Sequence, residues 1–91
     1  MKLIMFFSQF CPPCRATKPN LIKVAESRRV DVEFVDGLEP ENGALVSKYN
    51  ILHIPTILAV DDEGNEIKRI QGYQSEFGID AFIDAIMFGA R

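Results

Sequence analysis

The chain has 91 residues, of which 47 % are hydrophobic and 25 % charged, with a formal net charge of −3 and a pI of about 5.0. This length allows one domain with one core, and the composition excludes intrinsic disorder. The acidic balance lacks the basic stripe of nucleic-acid-binding proteins, and no apolar run approaches the roughly 20 residues that span a bilayer. We therefore expect one domain over residues 1–91 that binds neither nucleic acid nor membrane.

The chain begins with a short apolar run, Leu3–Phe7. The run is shorter than the hydrophobic region of a signal peptide, and no small-residue cleavage site follows it. A continuous apolar run of this length is typical of a strand that is covered on both faces. The sequence therefore predicts a buried first strand and, by default, a cytoplasmic protein.

A helix is predicted from about Pro12 to Arg28. Proline is tolerated in a first helical turn, whose amides have no intrahelical partner, whereas Pro19 should kink the helix. Residues that recur at helical spacing mark the predicted inward face: Cys14, Lys18, Leu21, Ile22 and Ala25.

The remaining elements follow from alternation, apolar runs and capping residues. Strands are predicted at Val30–Val35, Thr56–Val60 and Glu66–Gln71, the last being the more polar edge strand. A second helix should run from Pro40 to near Asn50, with Leu45, Val46 and Tyr49 inward. Ser75 can cap a last helix whose apolar stripe is formed by Ile79, Phe82, Ile83 and Ile86.

The resulting order, β-α-β-α-β-β-α, predicts an α/β fold. Two strands separated by a helix should be parallel, and the last two, joined by a five-residue turn, should be antiparallel. The expected architecture is a four-stranded mixed sheet flanked by three helices on its two faces.

The chain has two cysteines, Cys11 and Cys14, at the predicted junction between the first strand and the first helix. The first turn of a helix favours negative charge and hence a thiolate, the nucleophilic form of cysteine. Residues three apart lie about 5–6 Å from one another on a helix, within the range that a disulfide spans. We expect Cys11 to be the exposed attacking thiol and Cys14 the resolving thiol.

Other roles for the pair stay open at this point, namely a structural disulfide or a metal site. Tetrahedral zinc needs two further soft or imidazole ligands, and His53 is the only histidine. A metal or iron–sulfur cluster would therefore require a dimer that shares two cysteine motifs. We expect His53 to be a surface residue rather than a base, and we expect no cofactor and no metal ligand within one chain.

The combination of motifs resembles the thioredoxin superfamily over nearly the whole chain. The matching features are the strand–Cys11-Pro12-Pro13-Cys14–helix unit, Pro19, Lys48-Tyr49-Asn50-Ile51, Ile54-Pro55-Thr56 and Gln71-Gly72-Tyr73. The resemblance implies that Pro55 is cis beside the cysteines, and that the Ile54 backbone and the Gly72 loop hold a substrate peptide. Exposed apolar residues should form a rim around Cys11: Phe10, Pro12, Pro13, Ile54 and Tyr73.

The resemblance implies a monomeric enzyme that reduces protein disulfides with electrons from a thioredoxin-reductase-like donor. A glutathione-dependent glutaredoxin is the alternative, although Gly72-Tyr73-Gln74-Ser75 lacks the Gly-Gly of that family. The chain departs from thioredoxins at two positions, since Met5 stands where they carry a buried acid and Val32 where they carry its lysine partner. Losing both members leaves no unpaired charge, but it removes the expected proton acceptor for Cys14.

Overall fold

The computed structural model describes residues 1–89 and follows the predicted order of elements. The elements are β1 (Lys2–Phe7), α1 (Pro12–Arg28), β2 (Asp31–Asp36), a 3₁₀ turn (Pro40–Asn42), α2 (Gly43–Lys48), β3 (Thr56–Val60), β4 (Glu66–Gln71) and α3 (Glu76–Met87). Within residues 1–89, no helix is both long and apolar enough to cross a membrane. The predicted α/β class is confirmed.

The four strands form one mixed sheet in the order β2-β1-β3-β4. β1 is parallel to β2, and β3 is antiparallel to β4, as predicted. β3 is antiparallel to β1 and therefore runs opposite to β2, so the expectation that strands separated by a helix are parallel is wrong for β2 and β3, because β3 pairs with β1 and β4 rather than with β2. The continuous apolar sequence of β1 reflects its central position, because it has a strand on each side and helices on both faces. Among the strands of residues 1–89, β4 pairs with β3 alone and is the predicted polar edge strand.

Alternate residues of β1 supply two separate cores. Leu3 and Met5 face α1 and α3, and belong to the core cluster that also contains both cysteines. Ile4 and Phe6 face the opposite side, where Tyr49, just after α2, joins a second cluster. The first cluster therefore joins the sheet to the helix that carries the cysteines.

The inward face of α1 differs from the prediction at two positions. Lys18 is exposed and Ile22 is 38 % exposed. The inward positions are held instead by a group that includes one polar residue: Cys14, Thr17, Leu21, Val24 and Ala25. Thr17 is fully buried because its hydroxyl accepts a hydrogen bond from the backbone N–H of Gln74, which offsets the cost of burying it.

Two element boundaries also differ from the prediction. The predicted second helix, Pro40 to Asn50, is a 3₁₀ turn followed by the short α2, because Asn50 takes a left-handed conformation with φ 52° that ends it. β2 begins at Asp31 rather than Val30, because the Val30 N–H still bonds to the Ala25 carbonyl at the end of α1.

Arg69 on β4 joins that strand to the turn after α2. Its guanidinium donates to both carboxylate oxygens of Glu66 at 2.7 and 2.8 Å and to the Tyr49 carbonyl at 2.5 Å. The hydrogen bond from Arg69 lowers the pKa of Glu66 from its usual value. A carboxyl with a lowered native pKa contributes stability above its unfolded pKa and loses it as pH falls through the native pKa.

We therefore predict that Glu66→Gln destabilises the protein at neutral pH but much less in acid. Because the pair is partly exposed, the cost should be about 0.5 kcal/mol or less. It should begin to decrease as pH falls below the ordinary glutamate pKa of about 4.3, and it should vanish below the lowered native pKa, where the native carboxyl is protonated. Urea unfolding of both proteins across this range measures the difference, and a cost that stays constant with pH would contradict the pair's role.

Candidate active site

Cys11 is the N-cap residue of α1. Its backbone is extended, with φ −118° and ψ 100°, and its Sγ accepts a hydrogen bond from the Cys14 N–H at 3.2 Å. The sulfur thus has the place that a serine or aspartate oxygen takes at many helix starts. The first turn of α1 contains no acidic residue, so the positive end of the helix dipole acts on the Cys11 sulfur.

Cys11 and Cys14 form a disulfide with a Cα–Cα distance of 5.2 Å, as the spacing predicted. Cys11 is 7 % exposed and Cys14 is 2 % exposed. The expected order of exposure is thus found, but the expectation of an exposed Cys11 is wrong in extent. Because Cys11 belongs to the same apolar core cluster as Cys14, most of its surface is covered even at the start of the helix.

The segment before β3 lies against the same core. The Ile54–Pro55 peptide bond is cis, as the resemblance implied, and the Pro55 side chain is fully buried. Ile54 is partly exposed and packs against both core clusters, including the one that holds the cysteines. His53 is exposed, and its carbonyl accepts a hydrogen bond from the Thr56 hydroxyl at 2.5 Å.

The loop after β4 is hydrogen-bonded both to the cis-proline segment and to α1. The Gly72 N–H donates to the Pro55 carbonyl at 2.8 Å, and Gly72 has a φ of +85°, which favours glycine. The Gln74 N–H donates to the Thr17 hydroxyl at 3.1 Å, and the Asn20 amide donates to the Gln74 carbonyl at 2.9 Å. α1, the cis-proline segment and this loop are therefore joined by direct hydrogen bonds.

Thr17 and Asn20 connect α1 to the loop after β4, and the sequence prediction missed both. Thr17 lies three residues after Cys14, at helical spacing, but the predicted inward stripe does not include it. Its spacing is the signal that could have found it. The partner on the Gly72 loop lies 57 residues away and has no local sequence pattern.

The apolar residues expected around Cys11 are largely exposed. Phe10 is 86 % exposed and Tyr73 is 54 % exposed. Pro12 and Pro13 are exposed and Ile54 is partly exposed. Phe10, Pro12 and Pro13 flank Cys11 in the chain, while Ile54 and Tyr73 come from the two hydrogen-bonded segments. The structure thus leaves apolar surface in contact with solvent beside a largely buried disulfide.

A cavity of about 220 Å³ lies behind Cys14, between β1 and α1. Its lining residues are Met5, Phe7, Ser8, Gln9, Cys14, Arg15 and Lys18. Met5 is fully buried, and Val32 packs against the same core cluster. The described lining residues thus include two cationic side chains, but no carboxylate and no imidazole.

We predict that Thr17→Val weakens the link between α1 and the Gly72 loop. The change keeps the volume and branching of the side chain but leaves the Gln74 N–H without its acceptor, at a cost of about 1–3 kcal/mol. Urea unfolding measures the cost, and the exchange rate of the Gln74 amide hydrogen should rise. Thr17→Ser, which keeps the hydroxyl, should preserve slow exchange, and equal exchange in the two variants would contradict the assignment.

No group of three or more His, Cys, Asp or Glu residues within residues 1–89 is arranged to hold a metal ion. The cysteine pair of one chain therefore has no additional metal-ligating partner in the part that the structure describes. The chemistry that this arrangement can perform is exchange between two thiols and a disulfide.

Comparison with known proteins agrees with this chemistry. The family model described as Thioredoxin matches residues 1–85. The thioredoxin of Staphylococcus epidermidis is 25 % identical over 84 residues, which cover 92 % of this chain and 80 % of the relative. The structure of thioredoxin 1 from Thermosipho africanus superposes with a TM-score of 0.82 at 26 % identity, covering 99 % of this chain and 98 % of that one. A mutant thioredoxin from Halobacterium salinarum gives a TM-score of 0.81 at 28 % identity, covering 92 % of this chain and 72 % of that one.

Proposed function

Because the chain belongs to the thioredoxin family and is a thiol–disulfide oxidoreductase, we propose that it reduces disulfide bonds in partner proteins. The observation that carries this proposal is the Cys11–Cys14 pair at the start of α1, with a Cα–Cα distance of 5.2 Å. Cys11 is the nucleophile and Cys14 the resolving thiol in this proposal.

The first step uses the helix start. When the pair is reduced, the Cys14 N–H and the positive end of the α1 dipole stabilise a Cys11 thiolate. This thiolate attacks one sulfur of the partner's disulfide, forming a mixed disulfide as the partner's other sulfur leaves as a thiolate and takes up a proton.

The second step closes the ring. Cys14 loses its proton and attacks the Cys11 sulfur, which forms the intramolecular disulfide present in the structure and releases the second partner thiolate. Electrons from a thioredoxin-reductase-like donor then return the pair to two thiols. No cofactor is needed, because the two cysteines carry both electrons.

The apolar residues beside the cysteines have the properties of a peptide-binding surface. Phe10, Pro12, Pro13 and Tyr73 are exposed, and such a patch suits transient contact with partly unfolded proteins. The Ile54 backbone, before the cis Pro55, and the Gly72 loop are the proposed sites of strand-like hydrogen bonds with substrate. We further propose that residues 1–91 act as one domain, as a monomer, in the cytoplasm.

The proposal is tested by reduction of insulin disulfides, followed as turbidity, with dithiothreitol or a thioredoxin reductase as donor. We expect turnover well above that of dithiothreitol alone, and the matched control is the same protein with both thiols alkylated. Failure to exceed the control contradicts the proposal. Turnover that requires glutathione and glutathione reductase would instead support the glutaredoxin alternative, and metal or a coloured cluster after anaerobic purification would support the metal-binding dimer.

The reduction potential tests the direction of electron flow. In well-characterised oxidoreductases, values of about −270 mV belong to reductants and values of about −120 mV to oxidants. We expect a value near the first, measured by equilibration with glutathione or dithiothreitol buffers. A value near the second would mean that the protein forms disulfides rather than reducing them.

A further inference from the structure

The deprotonation of Cys14 has no evident base in the cavity behind it. The described residues that line this cavity include Ser8, Gln9, Arg15 and Lys18, but no carboxylate and no imidazole. The core cluster that contains Cys14 adds apolar side chains from β1, β3 and α3, namely Leu3, Met5, Ile57, Ala59, Ile79, Phe82 and Ile83. The charged groups that line the cavity are therefore both cations on α1.

Lys18 is the better placed of the two cations. It follows Cys14 by four residues, so the two side chains lie on the same side of the helix, and a helical side chain leans back toward the preceding turn. Arg15 directly follows Cys14 and points about a quarter-turn away. Leu21 and Ala25, which also lie on this side of the helix, are buried. Lys18 is exposed instead, and it lines the same cavity as the buried Cys14 thiol.

Two aromatic rings lie close to the Lys18 ammonium group. Its Nζ lies 4.9 Å from the ring centroid of Phe34 on β2 and 5.8 Å from that of Phe7 at the end of β1. Both distances are within the range of cation–π attraction. The two rings thus attract the ammonium group of an exposed side chain that lines the same cavity as Phe7 and Cys14.

We propose that Lys18 stabilises the thiolate of Cys14 in the resolving step. The Cys14 thiol of the mixed disulfide loses its proton to solvent through the open side of the cavity, where Gln9, Arg15 and Lys18 are exposed. The nearby ammonium lowers the free energy of the resulting thiolate, which attacks the Cys11 sulfur and displaces the partner's thiolate. The positive charge of Lys18 thereby promotes the ionisation of Cys14 in place of a buried base.

This inference rests on the proposed dithiol mechanism, and stopped-flow kinetics separates the two. The reduced protein is mixed with an excess of a small aromatic disulfide whose released thiolate absorbs visible light. The first release reports attack by Cys11 and depends on reagent concentration, whereas the second reports resolution by Cys14 and does not. If the unmodified protein shows no second phase, the proposed function itself fails.

We expect Lys18→Met to slow the second phase about three- to tenfold, as suits the loss of one charge from a cavity that is open to solvent on one side. The first phase should change less than about twofold, and the pH midpoint of the second phase should rise. Methionine keeps a long unbranched side chain that can pack on both rings, so packing is largely preserved. Lys18→Arg, which keeps the charge over the rings, should restore the rate.

The matched control is Lys23→Met on the opposite side of the same helix, where Lys23 pairs with Glu76 at 3.5 Å and should affect neither phase. Lys18→Gln is a second neutral variant, and circular dichroism verifies the fold of each. An unchanged second phase in the neutral variants overturns the inference. A Lys18→Arg variant as slow as Lys18→Met also overturns it, because the effect would then come from packing rather than from charge. Equal slowing of both phases overturns it too, because Lys18 would then act on Cys11.

Discussion

Replacing Cys11 with serine should reduce disulfide exchange by at least roughly a thousandfold, because it removes the nucleophile itself. Serine can still cap α1 through its hydroxyl, so Cys11→Ser should fold. The loss therefore reports chemistry rather than stability. Cys14→Ser should behave differently, since the first attack remains possible and only the second is lost.

The two variants can be distinguished by trapping. Cys14→Ser, incubated with a disulfide-containing protein, should accumulate a covalent adduct that disappears on reduction, and mass spectrometry should place the bond at Cys11. Cys11→Ser should form little adduct under the same conditions, because Cys14 is 2 % exposed and belongs to the core cluster. Adducts that form equally fast through Cys14 would reverse the assigned roles of the two thiols.

The sequence predicts the order of elements because each has a strong local signal. The apolar run of β1, the alternation of β2 and the capping serine at position 75 each determine one element without reference to the rest of the chain. Ser75 does accept a hydrogen bond from the Gly78 N–H at 3.0 Å, as a cap should. The position of the two cysteines at the start of α1 is predicted in the same way, from the apolar run of β1, the loop after it and the two prolines between the cysteines.

The connections between segments around the cysteines could not be predicted in that way. The bonds from Gly72 to Pro55 and from Gln74 to Thr17 join residues far apart in sequence, and no periodic pattern marks them. The position of Lys18 illustrates the same limit. Helical spacing alone predicts an inward position for Lys18, whereas the structure puts its ammonium over Phe7 and Phe34 at the edge of the cavity.

The burial of Cys11 is a further property that local pattern did not reveal. A residue at the start of a helix after a loop is ordinarily accessible, so the sequence predicts an exposed thiol. Here the core cluster extends to the helix start and covers it. In the proposed reaction, a partner disulfide approaches the small part of Cys11 that stays exposed, beside the proposed peptide-binding surface.

The largest change in stability is expected for Phe6→Ala. Phe6 is fully buried at the centre of the sheet, between Val35 on β2 and Thr56 on β3. Its ring meets that of Tyr49 edge-on, with centroids 6.3 Å apart. Truncating a buried phenylalanine costs about 3–5 kcal/mol, whereas a chain of this length has about 5–14 kcal/mol in all.

Phe10→Ala is the matched control, because it makes the same substitution four residues later at a side chain that is 86 % exposed. Its cost should stay within about 0.5 kcal/mol. Urea unfolding should show a much lower midpoint for Phe6→Ala with a similar dependence on denaturant, since the unfolded surface is similar.

Activity should follow the opposite pattern. The folded fraction of Phe6→Ala should keep its exchange rate, because Phe6 lies on the face away from the cysteines, whereas Phe10→Ala should weaken reduction of protein substrates beside Cys11 without unfolding. Equal destabilisation by both would contradict the division between a buried core and an exposed surface that is proposed to bind substrate.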